Sequence, residues 1–206
     1  MSVTAHTTTV AHHEEPGAPM GKAELGILAF LATEAIFFGL LILSYVYFRV
    51  TDNSAPNADI LKPNFIRTLI FSLCLFASSG TIVLAEQALK KGNRRGLVLW
   101  LVVTVVLGLA FLSGQGWEYA ELIGENITPA RNTFGTAFFT MTGFHGFHVF
   151  GGLVMLSILA GLAAAGDFKG PHSAAVTCVS WYWHFVDIVW VFIFSMVYVL
   201  PALGII

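Results

Sequence analysis

Five long runs of apolar residues divide the chain, and short polar breaks separate them. The runs cover about 25–48, 65–89, 97–117, 134–165 and 174–200. Each is long enough to cross a bilayer as a helix, which takes roughly 20 residues. None alternates between apolar and polar positions as the strands of a membrane barrel do. The pattern predicts an all-α polytopic membrane protein whose five transmembrane helices form one bundle.

Composition agrees with this class of protein. The chain has 206 residues, of which 56% are hydrophobic and only 11% are charged, whereas soluble domains carry about 25% charged residues. A net charge of −2 gives no basic surface for a nucleic acid. We therefore predict a polar N-terminal tail over residues 1–23 and a single membrane domain over 24–206.

The basic residues of the breaks predict the orientation in the membrane. Lys90, Lys91, Arg94 and Arg95 lie together in the short break between the second and third runs. Short loops rich in lysine and arginine stay on the cytoplasmic side. The N-terminus is then expected to be cytoplasmic and the C-terminus to lie outside.

One carboxyl group lies deep in the first predicted helix. Glu34 is about ten residues into the run, or ~15 Å at the rise of a helix, and phenylalanines surround it in the segment FLATEAIFF, residues 30–38. A buried carboxyl group in a membrane needs a partner. It is either a group that exchanges protons or a hydrogen-bonded residue that joins two helices, and the sequence leaves both interpretations open.

Two pairs of ionisable residues occur in the last two runs. His145 and His148 are three residues apart in the fourth run, as are His184 and Asp187 in the fifth, so each pair shares a helix face. Paired histidines could ligate a metal or a haem. We favour an interhelical polar cluster, in which these groups bond to one another or to Glu34, and predict no metal on this chain. Asp187→Leu is expected to weaken assembly by leaving His184 without its partner.

The third run ends in the segment WEY, residues 117–119. Trp117 and Tyr119 are typical of the membrane–water interface. Glu118 is therefore interpreted as an interfacial hydrogen-bond partner and not as a buried acid.

Four motifs together resemble one known family. They are ATEAIFF at 32–38, WEY at 117–119, FFTMTGFHGFHV at 138–149 and WYWHFVDIVW at 181–190. In this order they resemble subunit III of haem-copper terminal oxidases, in the five-helix form familiar from bacteria. The longer mitochondrial form has two further helices at its start, which are missing before residue 25 here.

The resemblance implies a subunit of a proton-pumping oxygen reductase without a catalytic site or redox centre of its own. It would pack directly on subunit I in the bacterial inner membrane, with subunit II and a small subunit IV in the same complex. Haem and copper would be on partner subunits, and phospholipid would be bound. The family subunit supports sustained turnover and proton uptake. Glu34 matches its reactive membrane carboxyl, and His145, His148, His184 and Asp187 match its inner polar cluster.

Two other functions remain open from the sequence. One is the related accessory subunit of nitric oxide reductase. The other, from a different class, is a membrane protein whose histidines hold a metal or a haem. A proton-coupled transporter is disfavoured, because the chain has no internal repeat of the kind that many transporters use. The electron donor, cytochrome c or quinol, is not encoded in this chain.

Overall fold

Five helices of membrane-spanning length make up the part of the chain that the structure describes, which is residues 21–51, 65–130, 133–168 and 170–203 of a computed structural model. They are α1 (Lys22–Thr51), α2 (Phe65–Lys90), α3 (Arg94–Gly124), α4 (Thr133–Ala165) and α5 (Ala174–Phe194). The predicted five-helix membrane architecture is confirmed. Residues 1–20 of the predicted tail, and the break at 52–64, lie outside the described residues.

The last span changes from an α-helix to a wider helical turn after α5. A π-helical turn, Ser195–Val199, leads into a final turn at Leu200–Ala202. Its amide bonds reach one residue further back than in an α-helix, as when the Leu200 N–H donates to the Ser195 carbonyl. Pro201 follows directly and has no N–H to continue the α-helical pattern. Tyr198, which belongs to this turn, is buried in the bundle.

Helices α4 and α5 lie at the centre of the bundle. Helix α4 packs against α1, α3 and α5, while α5 packs against α1, α2 and α4, and α2 and α3 pack against each other. The largest fully buried side chains include Trp183, Trp190, Phe111 and Phe138. All five helices contribute to this one core, to which α1 adds the fully buried Phe38 and Tyr45.

Helix α1 buries little of its own surface. Its buried residues are Phe38 and Tyr45, whereas Ile36, Leu40 and Leu43 are exposed. An exposed apolar face of this size is stable in a bilayer, where it contacts lipid tails or another membrane subunit. The exposed face of α1 is therefore a consequence of the membrane setting.

A side chain of the basic break, residues 90–95, links the start of α3 to the end of α4 by hydrogen bonds. Asn93 caps α3 by accepting a hydrogen bond from the Gly96 N–H at 3.0 Å. The Arg94 side chain donates to the carbonyls of Ala163, at 2.9 Å, and Ala164. A cation is favourable at a helix C-terminus, where carbonyl groups lack amide partners. At least one of the four charges that predict orientation therefore also has a structural role.

Candidate functional site

Glu34 on α1 and His148 on α4 form a pair near the surface of the bundle. His148 Nε2 lies 3.1 Å from Glu34 Oε2, and the two side chains are 13% and 20% exposed. The edge of the Phe38 ring lies against the imidazole, with ring centroids 5.0 Å apart. The Tyr182 hydroxyl of α5 donates to the His148 carbonyl at 3.0 Å. Three helices therefore position this pair.

The geometry of the pair requires one proton between its members. His148 Nδ1 lies 2.7 Å from the Phe144 carbonyl, which can only accept, so Nδ1 carries a hydrogen. The contact between Nε2 and Glu34 then holds either a protonated carboxyl beside a neutral imidazole or a carboxylate beside an imidazolium. Both states use the same two atoms and differ only in where the proton lies. The arrangement can therefore hold and pass on a single proton.

His184 and Asp187 on α5 meet through a serine of α2. The Ser79 hydroxyl donates to Asp187 Oδ2 and lies 2.9 Å from His184 Nδ1. With Asp187 as a carboxylate, the single hydroxyl hydrogen goes to Asp187, and His184 Nδ1 is the donor in its contact with Ser79. Ser79 thus stands between two residues that were expected to contact each other directly.

Two tryptophans of α5 attach to two further serines of α2. The Trp183 indole N–H donates to Ser78 Oγ at 2.9 Å, and the Trp190 N–H donates to Ser72 Oγ at 2.8 Å. All four residues are buried. The indole ring has a hydrogen-bond donor and no acceptor, so each buried tryptophan needs an oxygen, here a serine hydroxyl, to accept its N–H. These bonds fix the register between α2 and α5.

His145 stands apart from the other ionisable residues of the predicted cluster. It is completely buried and stacks on Trp190, with ring centroids 4.8 Å apart. Among the described residues neither of its ring nitrogens has a hydrogen-bond partner. The structure therefore brings His148 to Glu34 and brings His184 and Asp187 to Ser79, while His145 belongs to the aromatic core.

The WEY segment separates into an outward and an inward side. Trp117 is 63% exposed, but Glu118 is 4% exposed, so the prediction that Glu118 is not a buried acid is wrong. The Tyr198 hydroxyl lies 3.0 Å from both of its carboxyl oxygens. Successive residues on a helix point about 100° apart, which places Trp117 and Glu118 in different surroundings. Tyr119 is partly buried, with its hydroxyl 2.6 Å from Thr142 Oγ1.

A surface ion pair covers this end of the bundle, which we call the Arg67 end. The Arg67 guanidinium bonds to Glu121 on α3 and lies over the Trp117 ring, 5.5 Å from its centroid. Glu121 is half exposed and paired. This contact between α2 and α3 explains why α3 continues past its predicted end at Trp117 to Gly124.

Sequence reasoning missed the residues that serve as partners. Ser72, Ser78, Ser79 and Tyr198 were not selected, although each bonds to an ionisable or tryptophan side chain. Their one signal is the presence of hydroxyls in otherwise apolar runs. Within the described residues, no three His, Cys, Asp or Glu side chains are grouped so that they could hold a metal ion.

The fold and this polar interior define a multi-pass membrane protein of the respiratory chain, once they are set beside its relatives. The family model for cytochrome c oxidase subunit III matches residues 2–201. A probable cytochrome c oxidase subunit 3 of Mycobacterium leprae is 34% identical over 197 residues, which are 95% of this chain and 94% of the relative. The cytochrome c oxidase subunit 3 of Thermostichus vulcanus is 35% identical over 189 residues, 91% of this chain and 90% of the relative.

A quinol oxidase subunit is similar to the same extent. The cytochrome bo(3) ubiquinol oxidase subunit 3 of Pseudomonas aeruginosa is 31% identical over 192 residues, 93% of this chain and 91% of the relative. The chain therefore belongs to the cytochrome c oxidase subunit III family, and it is a subunit of a haem-copper terminal oxidase complex. The resemblance that the four motifs indicated is confirmed.

Proposed function

We propose that this chain is the accessory subunit III of a proton-pumping oxygen reductase in a bacterial inner membrane, where it packs directly on subunit I. The observation that carries the proposal is the family match over nearly the whole chain. Subunits I and II, together with a small subunit IV, complete the complex. Haem and copper belong to the partner subunits, this chain has no catalytic site of its own, and phospholipid fills part of its membrane surface.

The role within the complex is to sustain turnover and to support proton uptake. The Glu34–His148 pair supports this role, because it places one proton between a carboxyl and an imidazole, and both side chains are partly accessible. Carboxyl and imidazole groups are common proton donors and acceptors in proteins, so a proton held at this pair can leave by either group. The pair is therefore the site at which we expect proton exchange.

Affinity purification through this chain in mild detergent tests the assignment. We expect subunits I and II in the mass spectrum and a haem-copper visible spectrum that stays with the larger partner after this chain is removed. Oxygen consumption should start at a near-normal rate without this chain and then decline earlier during turnover. Haem or metal that stays on the isolated chain would instead identify the histidines as ligands, and reduction of nitric oxide would identify the other accessory family.

The Glu34→Gln complex tests the proton role. An amide can keep the hydrogen bond to His148 but cannot exchange a proton, so proton uptake by the purified complex in vesicles should slow while assembly is unchanged. Ser157→Ala, at a position of α4 whose hydroxyl bonds to the Leu153 carbonyl of its own helix, is the control for an unrelated substitution. Equal uptake rates in the two variants would contradict the proposed role of Glu34.

Cysteine labelling tests the orientation that the basic break predicts. The proposal places the N-terminus and the Arg94 turn in the cytoplasm, and the C-terminus outside. In a chain whose two cysteines are replaced, a cysteine at Glu125 should react with an impermeant maleimide in intact cells, whereas a cysteine at Lys91 should react only after the membrane is opened. The reverse pattern would overturn this orientation.

A further inference from the structure

A small cavity with polar walls lies inside the Arg67 end of the bundle. Gln115 and Glu118 on α3 both line it, and they are only 8% and 4% exposed. They are three residues apart and so share a helix face. Arg67 and Thr68 of α2 add a guanidinium, which bonds to Glu121, and a hydroxyl, and the remaining wall is largely aromatic. The cavity measures about 10 Å³, whereas the pockets at the bundle surface are far larger.

The Gln115 amide has one satisfied end and one unsatisfied end. Its Nε2 donates to the Thr142 carbonyl at 2.7 Å. Because a carbonyl accepts only, this bond fixes which end of the amide is nitrogen. Oε1 then has no hydrogen-bond partner among the described residues. A buried acceptor left without a donor costs about 1–3 kcal/mol, and native proteins rarely leave one so.

Glu118 also has capacity for a further donor. The Tyr198 hydroxyl brings a single hydrogen to its two oxygens, and the Thr68 hydroxyl is at the limit of bonding, 3.5 Å from Oε1. A carboxylate accepts about four hydrogen bonds. The cavity therefore has two acceptors on neighbouring turns of one helix, and a small occupant with two hydrogens can serve both.

Two glycines allow close approach of neighbouring groups around the cavity. A Cβ atom at Gly146 would lie 3.0 Å from Gln115 Oε1, so α4 approaches the amide closely because this residue has no side chain. A Cβ atom at Gly114 would overlap the ring of Phe71, which also lines the cavity.

We propose that this cavity is a binding site for one internal water molecule, which donates one hydrogen bond to Gln115 Oε1 and one to the Glu118 carboxyl group. Water has the two donors that these acceptors require. Its size also fits, because a single buried water needs about 10–15 Å³. The bound water would join two side chains of α3, one of which bonds to Thr142 on α4 and the other to Tyr198 in the last span, so the site is structural and lies apart from the Glu34–His148 pair.

A high-resolution structure of the full chain in the membrane complex that it purifies with is the first test. We expect a density peak within hydrogen-bond distance of Gln115 Oε1 and of a Glu118 oxygen. Direct contact between the Glu118 carboxyl and Oε1, with no peak between them, would overturn the proposal, as would an empty cavity.

Substitution gives the second test. Gln115→Met keeps the length of the side chain but removes the acceptor, so we expect the water peak to disappear. Gln87→Met is the matched control, since it makes the same change at an exposed position of α2, and the peak should remain. Glu118→Gln keeps an acceptor and should also retain the peak. A peak that survives Gln115→Met would refute the role of Oε1. If that variant does not assemble, the wild-type and Glu118→Gln structures decide.

Discussion

The contact between Ser79 and Asp187 makes a specific prediction about stability. Asp187 is 5% exposed and accepts the Ser79 hydroxyl across the α2–α5 interface. Asp187→Leu removes this acceptor and leaves the hydroxyl without it in a partly buried place, which costs about 1–3 kcal/mol. Asp187→Asn keeps a carbonyl oxygen and should cost less. The hydrogen bond that is lost is the one that Ser79 donates, and His184 is affected only through its contact with Ser79.

A double-mutant cycle isolates this interaction. Ser79→Ala alone removes the same hydrogen bond from the other side. If the bond accounts for the loss, the double variant should be less destabilised than the sum of the single variants, by about 1 kcal/mol within the range of 0.5–3 kcal/mol for residues in contact. His184 would lose its acceptor in Ser79→Ala as well, so that single variant should not be the milder one.

Reversible unfolding in mixed micelles provides the free energies, and recovery of the intact complex after heating provides an independent measure. Ser113→Ala is the control for a serine whose hydroxyl bonds within its own helix, at the Leu109 carbonyl, and it should change stability little. Additive losses from Ser79→Ala and Asp187→Leu would show that the two side chains do not stabilise the fold together, and our account of this contact would then be wrong.

Three further substitutions test the Glu34–His148 pair and the packing of α3. Glu34→Gln should leave assembly intact, because an amide N–H can still donate to His148 Nε2, and a reduced yield of the complex would contradict this. Gly114→Ala should destabilise the chain by about 1–3 kcal/mol through overpacking, since its methyl group would overlap the Phe71 ring. Gly116→Ala, with open space around it, should be neutral or stabilising by up to about 1 kcal/mol, because alanine favours a helix. Equal unfolding midpoints for the two alanine variants would refute the packing argument.

The five helices could be predicted because membrane length and apolar composition are local properties of the chain. The end of α3 could not, because the residues beyond Trp117 look polar when read alone. Arg67, the partner of Glu121, is 54 positions away along the chain. Tyr198, the partner of Glu118, is 80 positions away. These carboxyl groups are paired across the bundle and lie on a helix, although the same residues taken from the sequence alone suggest a loop.

The candidate site was predicted in its residue types but not in its pairings. His145 and His148 share a face only approximately, because a separation of three residues on a helix leaves their directions about 60° apart. That angle is enough to direct His145 to the aromatic core beside Trp190 and His148 to Glu34 on α1. Which of the two histidines meets the carboxyl group depends on where α1 packs, and no local pattern contains this information.

The serines of α2 show why partners of this kind escape a reading of sequence. Ser72 and Ser78 each donate to a carbonyl of their own helix, at Thr68 and Leu75, so each is already satisfied as a donor within a single span. Their free lone pairs are what α5 uses, because an indole N–H needs only an acceptor. Each hydroxyl thus bonds to two helices at once. Such shared partners are useful in a membrane, where polar groups must find their partners inside the protein. The tryptophans of α5 predict that acceptors exist, and the antiparallel packing of α2 against α5 determines which ones they are.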